Sequence, residues 1–242
     1  VIIETVAGHD VAWYAAGDGP VDVVLVHGLG ASGRYFRPLT GELADRARVV
    51  VPDLPGFGSS PRPPAALSID EHAGLVVALV EHLRLRRPVL VGHSMGAQVA
   101  IEVARRRGDL VGGVVLVGPV ADQRARSAVR LGLRLLRDAV LEPPGGVRVQ
   151  VREWLRSGPR WFLATVPPMV DYPTEDRITE ISAPIVLARG ERDPVAPADY
   201  LLRLAARVPH AQVLQVPRAG HLAMFRWPHH VADAAIGLAG AR

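Results

Sequence analysis

The chain has 242 residues, a formal charge of +4, 49% hydrophobic and 21% charged residues, and no cysteine. A chain of this length buries roughly 70–75% of its unfolded surface, so its core needs no disulfide or metal, and the composition excludes a disordered or fibrous protein. The lack of cysteine excludes thiol nucleophiles and thiolate metal sites, and no apolar run approaches the ~18–20 residues of a membrane span.

The elements alternate along the chain. Residues 2–7 and 11–16 are apolar runs around Gly8-His9-Asp10, a hairpin signal. Residues 22–27, 49–51, 88–91, 114–117 and 185–188 are continuous apolar runs that suit strands buried on both faces, and Gln212–Val216 is a weaker one. Helical patterns fall between them at 36–44, 69–83, 95–107, 198–206 and 231–238, the second introduced by Ser68 as cap with Asp70 and Glu71 in its first turn. This predicts an α/β fold: a mostly parallel eight-stranded sheet flanked by helices, after an antiparallel start.

Residues 120–182 break the rhythm, with no strand and much Pro/Gly punctuation. Within 122–141, Val129, Leu133, Leu136 and Val140 share one helical face, and Arg126, Arg130, Arg134 and Arg137 share another. Pro143-Pro144-Gly145-Gly146 ends that helix, and a second over 147–156 is closed by Ser157-Gly158-Pro159. The stretch is too long for a loop. It reads as a helical cap inserted into a core made of residues 1–119 and 183–242.

Gly92-His93-Ser94-Met95-Gly96 fits Gly-x-Ser-x-Gly between a predicted strand and a predicted helix, the setting of a nucleophile elbow. A serine there needs a base and an orienting acid. His221, in Ala219-Gly220-His221, follows one predicted strand, and Asp193, in Gly190-Glu191-Arg192-Asp193-Pro194, follows another. All three fall past carboxyl ends of strands, where open parallel sheets place their sites. Asp122, after the strand at 114–117, is the rival acid. Glu191 is expected to point elsewhere, His229 and His230 to lie on the surface, and His27 to pack and hydrogen-bond within its loop.

These motifs, with His27-Gly28-Leu29-Gly30 after the strand at 22–27 and Asp53-Leu54-Pro55-Gly56-Phe57-Gly58-Ser59-Ser60, resemble the α/β-hydrolase superfamily over nearly the whole chain. The order Ser94, Asp193, His221 is that family's triad order. The resemblance implies an oxyanion hole from the backbone N–H groups of Leu29 and Met95, and no catalytic role for Asp53. Arg226 departs from the acidic residue that relatives often carry two places before a proline such as Pro228. Dehalogenases and epoxide hydrolases of the family use aspartate as nucleophile, which Ser94 argues against.

The expected reaction is hydrolysis of a small, largely apolar carboxylic ester. The alternatives are a carbon–carbon bond hydrolase of vinylogous diketones, a lactonase or a thioesterase with the same triad, or a receptor or cyclase that keeps the pocket. His93, Trp154, Trp161, Phe162 and Met169 are the candidate pocket residues. No His/Asp/Glu cluster has metal-ligand spacing and no glycine loop suits a nucleotide, so neither metal nor cofactor is expected. Every basic residue other than histidine is arginine. With no aromatics interleaved among them, nucleic-acid binding is not expected, nor is stable membrane insertion. The arginine surplus of the cap leaves an anionic substrate or membrane surface as the alternative to a plain solvated face. No export signal is visible, which points to the cytoplasm.

Overall fold

The computed structural model describes residues 1–125 and 127–240, so Arg126 of the predicted arginine face lies outside the described residues. Eight strands, β1 (Ile2–Val6), β2 (His9–Ala16), β3 (Val21–Val26), β4 (Ala47–Pro52), β5 (Val89–His93), β6 (Gly113–Val117), β7 (Ile185–Gly190) and β8 (Gln212–Val216), form one sheet. Its order is β1-β2-β4-β3-β5-β6-β7-β8, with β1 and β2 antiparallel to their neighbours and the rest parallel. The expected fold class is the observed one.

The continuous valine runs reflect a sheet covered on both faces. Val24, Val26 and Leu90 belong to one buried cluster, whereas Val23, Leu25, Val89 and Val91 turn into the other. Helices α2 (Ile69–His82) and α3 (Met95–Arg106) contribute to the first cluster, and α1 (Arg37–Ala44) and the last helix (Pro228–Gly240) to the second. Ser68 and Glu71 close a reciprocal capping box on α2. After β3 the chain moves one way to β4 and then returns past β3 to β5. The crevice at this reversal lies between the carboxyl ends of β3 and β5. Val26 and Gly92 pair there, so the loops carrying Leu29 and Ser94 leave the sheet side by side.

Between β6 and β7 lie α4 (Ala128–Ala139), α5 (Pro144–Ser157), α6 (Pro159–Asp171) and the short α7 (Thr174–Arg177). The remaining helices are α8 (Ala198–Arg207), α9 (Ala223–Arg226) and α10 (Pro228–Gly240). Helix α6 is a correction to the sequence reading, which took Ser157-Gly158-Pro159 only as a stop. Gly158 has φ 74°, and Pro159 then sits in the first turn of a new helix, where its missing N–H costs nothing. Likewise Pro143-Pro144 does not only end a helix; Pro144 starts α5.

Candidate active site

Ser94 stands between β5 and α3 with φ 57° and ψ −117°, a strained conformation for a residue with a side chain. A Cβ on Gly92 would lie 2.2 Å from the carbonyl oxygen of Gly96, and one on Gly96 would lie 2.1 Å from that of Val26. Only glycines allow the turn to sit this close to the neighbouring strand. The Ser94 N–H donates to the Val117 carbonyl at 2.9 Å. Ser94 lines a cavity of about 750 Å³, counting its open mouth, at the amino end of α3, where the helix dipole favours negative charge.

His221 lines the same cavity. Its Nδ1 lies 2.9 Å from Asp193 Oδ2, and both side chains are buried. The other carboxylate oxygen of Asp193 accepts from the N–H groups of Val195 (2.7 Å) and Ala196 (3.0 Å). Arg189, buried, holds the same loop by donating to the carbonyls of Ala196 and Asp193. His221 Nε2 has no hydrogen-bond partner among the described residues. Burial opposes protonation of His221, but the negative charge of Asp193, with Asp138 and Glu142 nearby, outweighs it and raises the imidazole to about 9.

His93 ties the surrounding loops together. Its Nε2 is 3.0 Å from the His221 carbonyl, which can only accept, so this nitrogen carries the proton. Nδ1 therefore accepts from the Tyr35 hydroxyl at 2.9 Å, and that hydroxyl accepts from the Gly28 N–H at 2.8 Å. Burial first and the neighbouring His221 second push His93 well below the ordinary histidine range, which keeps it neutral. His27 is likewise committed: it accepts from the Leu54 N–H at 2.8 Å and donates to the Gly28 carbonyl at 2.8 Å. Asp53 accepts from the N–H groups of Gly33 and Ser59, bracing its own loop.

Two carboxyl groups that the sequence does not mark as site residues line this cavity. Asp138 of α4 accepts from the His221 N–H at 2.8 Å, and Glu142, just beyond it, accepts from the Leu222 N–H at 2.6 Å. Burial and the adjacent Asp138 charge raise Glu142 to about 8, and burial raises Asp138 as well. Glu142 therefore carries a proton at neutral pH. The available signal was spacing: an acid at i and another at i+4 at the end of an amphipathic helix, on the side away from its apolar stripe.

Of the predicted pocket residues, His93, Trp154, Phe162 and Met169 line the cavity, as does Leu29 of the predicted oxyanion pair. Met95 lies buried at the start of α3. Trp161 is a correction: it is not among the lining residues. Its ring packs on Gly56, where a Cβ would come within 2.3 Å of it, beside Phe57 and under the Arg62 guanidinium. It projects about a quarter turn round α6 from Phe162 and Met169, and packs that helix against the Gly56-Phe57 loop. Asp122 is taken up by Arg203 at 2.7 Å and by the Arg124 N–H, and Glu191 accepts from the Arg218 N–H, so neither orients His221. His229 is exposed, His230 half-buried, and their rings stack on each other. Arg226 lies over the Trp227 ring, and among the described residues it has no ion pair. Among the described residues, no group of three or more histidines and acids could hold a metal ion, and no helix is long and apolar enough to cross a membrane.

The sequence model of the Alpha/beta hydrolase family matches residues 23–234. The chain belongs to this family. Among its hydrolase relatives, the 2-hydroxy-6-oxo-6-phenylhexa-2,4-dienoate hydrolase of Burkholderia cepacia is 30% identical, covering 90% of this chain and 86% of that protein. Haloalkane dehalogenase 2 of Mycobacterium tuberculosis is 29% identical over 91% of this chain and 88% of its own length. In three dimensions a thermophilic esterase from Thermogutta terrifontis superposes with a TM-score of 0.84 at 24% identity, covering 99% of this chain and 97% of that one. As a hydrolase-family member the chain is an enzyme acting on a small molecule.

Proposed function

We propose that the protein hydrolyses neutral, largely apolar carboxylic esters through an acyl-enzyme on Ser94. The observation that carries this reading is the buried His221–Asp193 pair, 2.9 Å apart, whose imidazole shares one cavity with a serine on a strained strand-to-helix turn. Ser94 Oγ bonds to the ester carbonyl carbon while its proton passes to His221 Nε2. The backbone N–H groups of Leu29 and Met95 receive the oxyanion. Collapse breaks the bond to the alkoxy oxygen, which leaves as alcohol with the proton from His221. Water then attacks the acyl-enzyme, giving its proton to His221, and Ser94 is released with the carboxylic acid. Asp193 holds the tautomer with Nε2 free. Residues 120–182 act as a cap: Trp154 and Phe162 close over Gly30, and Gln150 donates to the Gly30 carbonyl at 3.1 Å.

Two features favour a neutral ester over the other hydrolase chemistries. Halide displacement through a covalent ester requires a carboxylate at residue 94, and serine offers a hydroxyl. A dienoate carries a carboxylate, yet the cavity has no arginine among its lining residues and presents Asp138 and Glu142 instead. The carbon–carbon hydrolase remains the second reading because the dienoate hydrolase is 30% identical over most of both chains. A panel of p-nitrophenyl esters, thioesters, lactones and a 2-hydroxy-6-oxo-dienoate separates them. Highest kcat/KM is expected on neutral acyl esters; preference for the dienoate would replace the ester reading with the second.

A further inference from the structure

Helices α4 and α5 both expose large apolar side chains on their outer sides. Val129, Leu133, Leu136 and Val140, at i, i+4, i+7 and i+11 of α4 and its end, are 74%, 63%, 66% and 85% exposed. The stripe that the periodicity marks as a packing face therefore points into solvent, while Leu131, Leu135 and Asp138 turn toward the cavity. On α5, Val151 and Leu155 are exposed too and form a trough with Arg148, Arg152 and Arg156. Val151 also lines the cavity over Ser94, so trough and cavity share a wall.

Charge on this face has one sign. The three acids between residues 124 and 160 are Asp138, Glu142 and Glu153, and all are buried. On α4 and α5, Arg130, Arg137, Arg148, Arg152 and Arg156 are exposed. A helix with an exposed apolar stripe flanked by arginines is the pattern of an interfacial helix, which sinks its apolar side chains among acyl chains while the guanidinium groups meet phosphates. Two copies of this face brought together would set arginine against arginine, so charge complementarity disfavours a symmetric dimer here. The stripe carries aliphatic rather than aromatic side chains, which disfavours nucleic acid.

We propose that the outer face of α4 and α5 docks on the surface of an anionic phospholipid bilayer, placing the cavity over Ser94 against the membrane. This goes beyond the ester reading and does not depend on it. Once docked, Val129, Leu133, Leu136 and Leu155 enter the acyl boundary, the arginines neutralise lipid phosphates, and apolar molecules dissolved in the bilayer reach the cavity past Val151.

The test is sedimentation of the full chain with extruded vesicles of phosphatidylcholine alone or with 30% phosphatidylglycerol, and light scattering of the protein without lipid. The expected result is a monomer that sediments with the anionic vesicles at least tenfold better than with the neutral ones, and is released by 0.5 M NaCl. Arg130→Glu/Arg137→Glu and Leu133→Ser/Leu136→Ser, all at exposed positions, each lower that partition at least tenfold while thermal unfolding is unchanged. Equal binding to both vesicles, no vesicle binding, a dimer dissolved by the leucine variants, or retention on DNA in place of vesicles overturns the proposal. Turnover of a soluble ester is measured in parallel, so that loss of the ester reading is distinguishable from loss of this one.

Discussion

Replacing Glu142 by Gln tests the carboxyl pair that links α4 to the His221 loop. The amide oxygen keeps an acceptor for the Leu222 N–H, so the packing is preserved and only the titrating group is lost. Glu142 is raised from an unfolded value near 4.5 to about 8. Between those limits the folded protein holds a proton that the unfolded chain has released. The stability this group contributes is therefore complete below pH 4.5 and is lost as pH rises toward 8. One proton corresponds to roughly 1.4 kcal/mol per pH unit, so the stability of the wild type relative to Glu142→Gln should fall by about 2–3 kcal/mol between pH 5 and pH 7. The unfolded-state titration of His221 near 6.5 is common to both proteins and cancels in the comparison. Urea unfolding followed by tryptophan fluorescence at pH 5, 6 and 7 measures the difference. Stability curves that stay parallel across the three pH values would refute the account of a Glu142 that stays protonated in the folded protein.

Other expectations follow from the same geometry. In the proposed mechanism His221 must be neutral to accept the Ser94 proton, so kcat/KM should rise with pH through about 9; in Asp193→Asn the rate should drop about 10⁴-fold and any residual limb move toward neutral pH, and an unmoved limb contradicts the role proposed for Asp193. Gly96→Ala places a methyl 2.1 Å from the Val26 carbonyl, so a loss of about 1–3 kcal/mol in thermal unfolding and loss of ester turnover are expected; full activity would mean the elbow is not needed. Trp154→Ala should alter KM across acyl chain lengths with little change in melting temperature relative to Trp161→Ala, which should cost about 3–5 kcal/mol and leave chain-length preference alone; the reverse pattern would exchange their assignments.

Much of this molecule was legible in the sequence because its signals are local. Valine runs buried on both faces announce parallel strands, and Gly-x-Ser-x-Gly requires its two glycines for contacts that any fold with this elbow must make. The pairing of Asp193 with His221 was reachable because a strand end is a place on the chain as well as a place in space. The β6–β7 segment was less legible for a physical reason. Its helices are short, begin with prolines that also read as stops, and are oriented by contacts far away in sequence. Nothing near Trp161 says that it packs on Gly56 while Phe162, the next residue, faces the cavity. The apolar stripe of α4 looks like a packing face, but the carboxyl groups that bond to the His221 and Leu222 N–H groups hold the opposite side inward.

The most direct measurement is reaction with a fluorophosphonate, in which a serine oxygen displaces fluoride to form a stable phosphonyl ester, read by intact mass and peptide mapping. The wild type should gain one adduct, located on Ser94, and lose ester turnover in proportion. Ser94→Ala should gain no adduct, keep its thermal unfolding, and turn over p-nitrophenyl esters at least about 10⁴-fold more slowly. A wild type that hydrolyses esters without labelling at Ser94, or a Ser94→Ala variant with undiminished turnover, would contradict the central claim that Ser94 carries the acyl group.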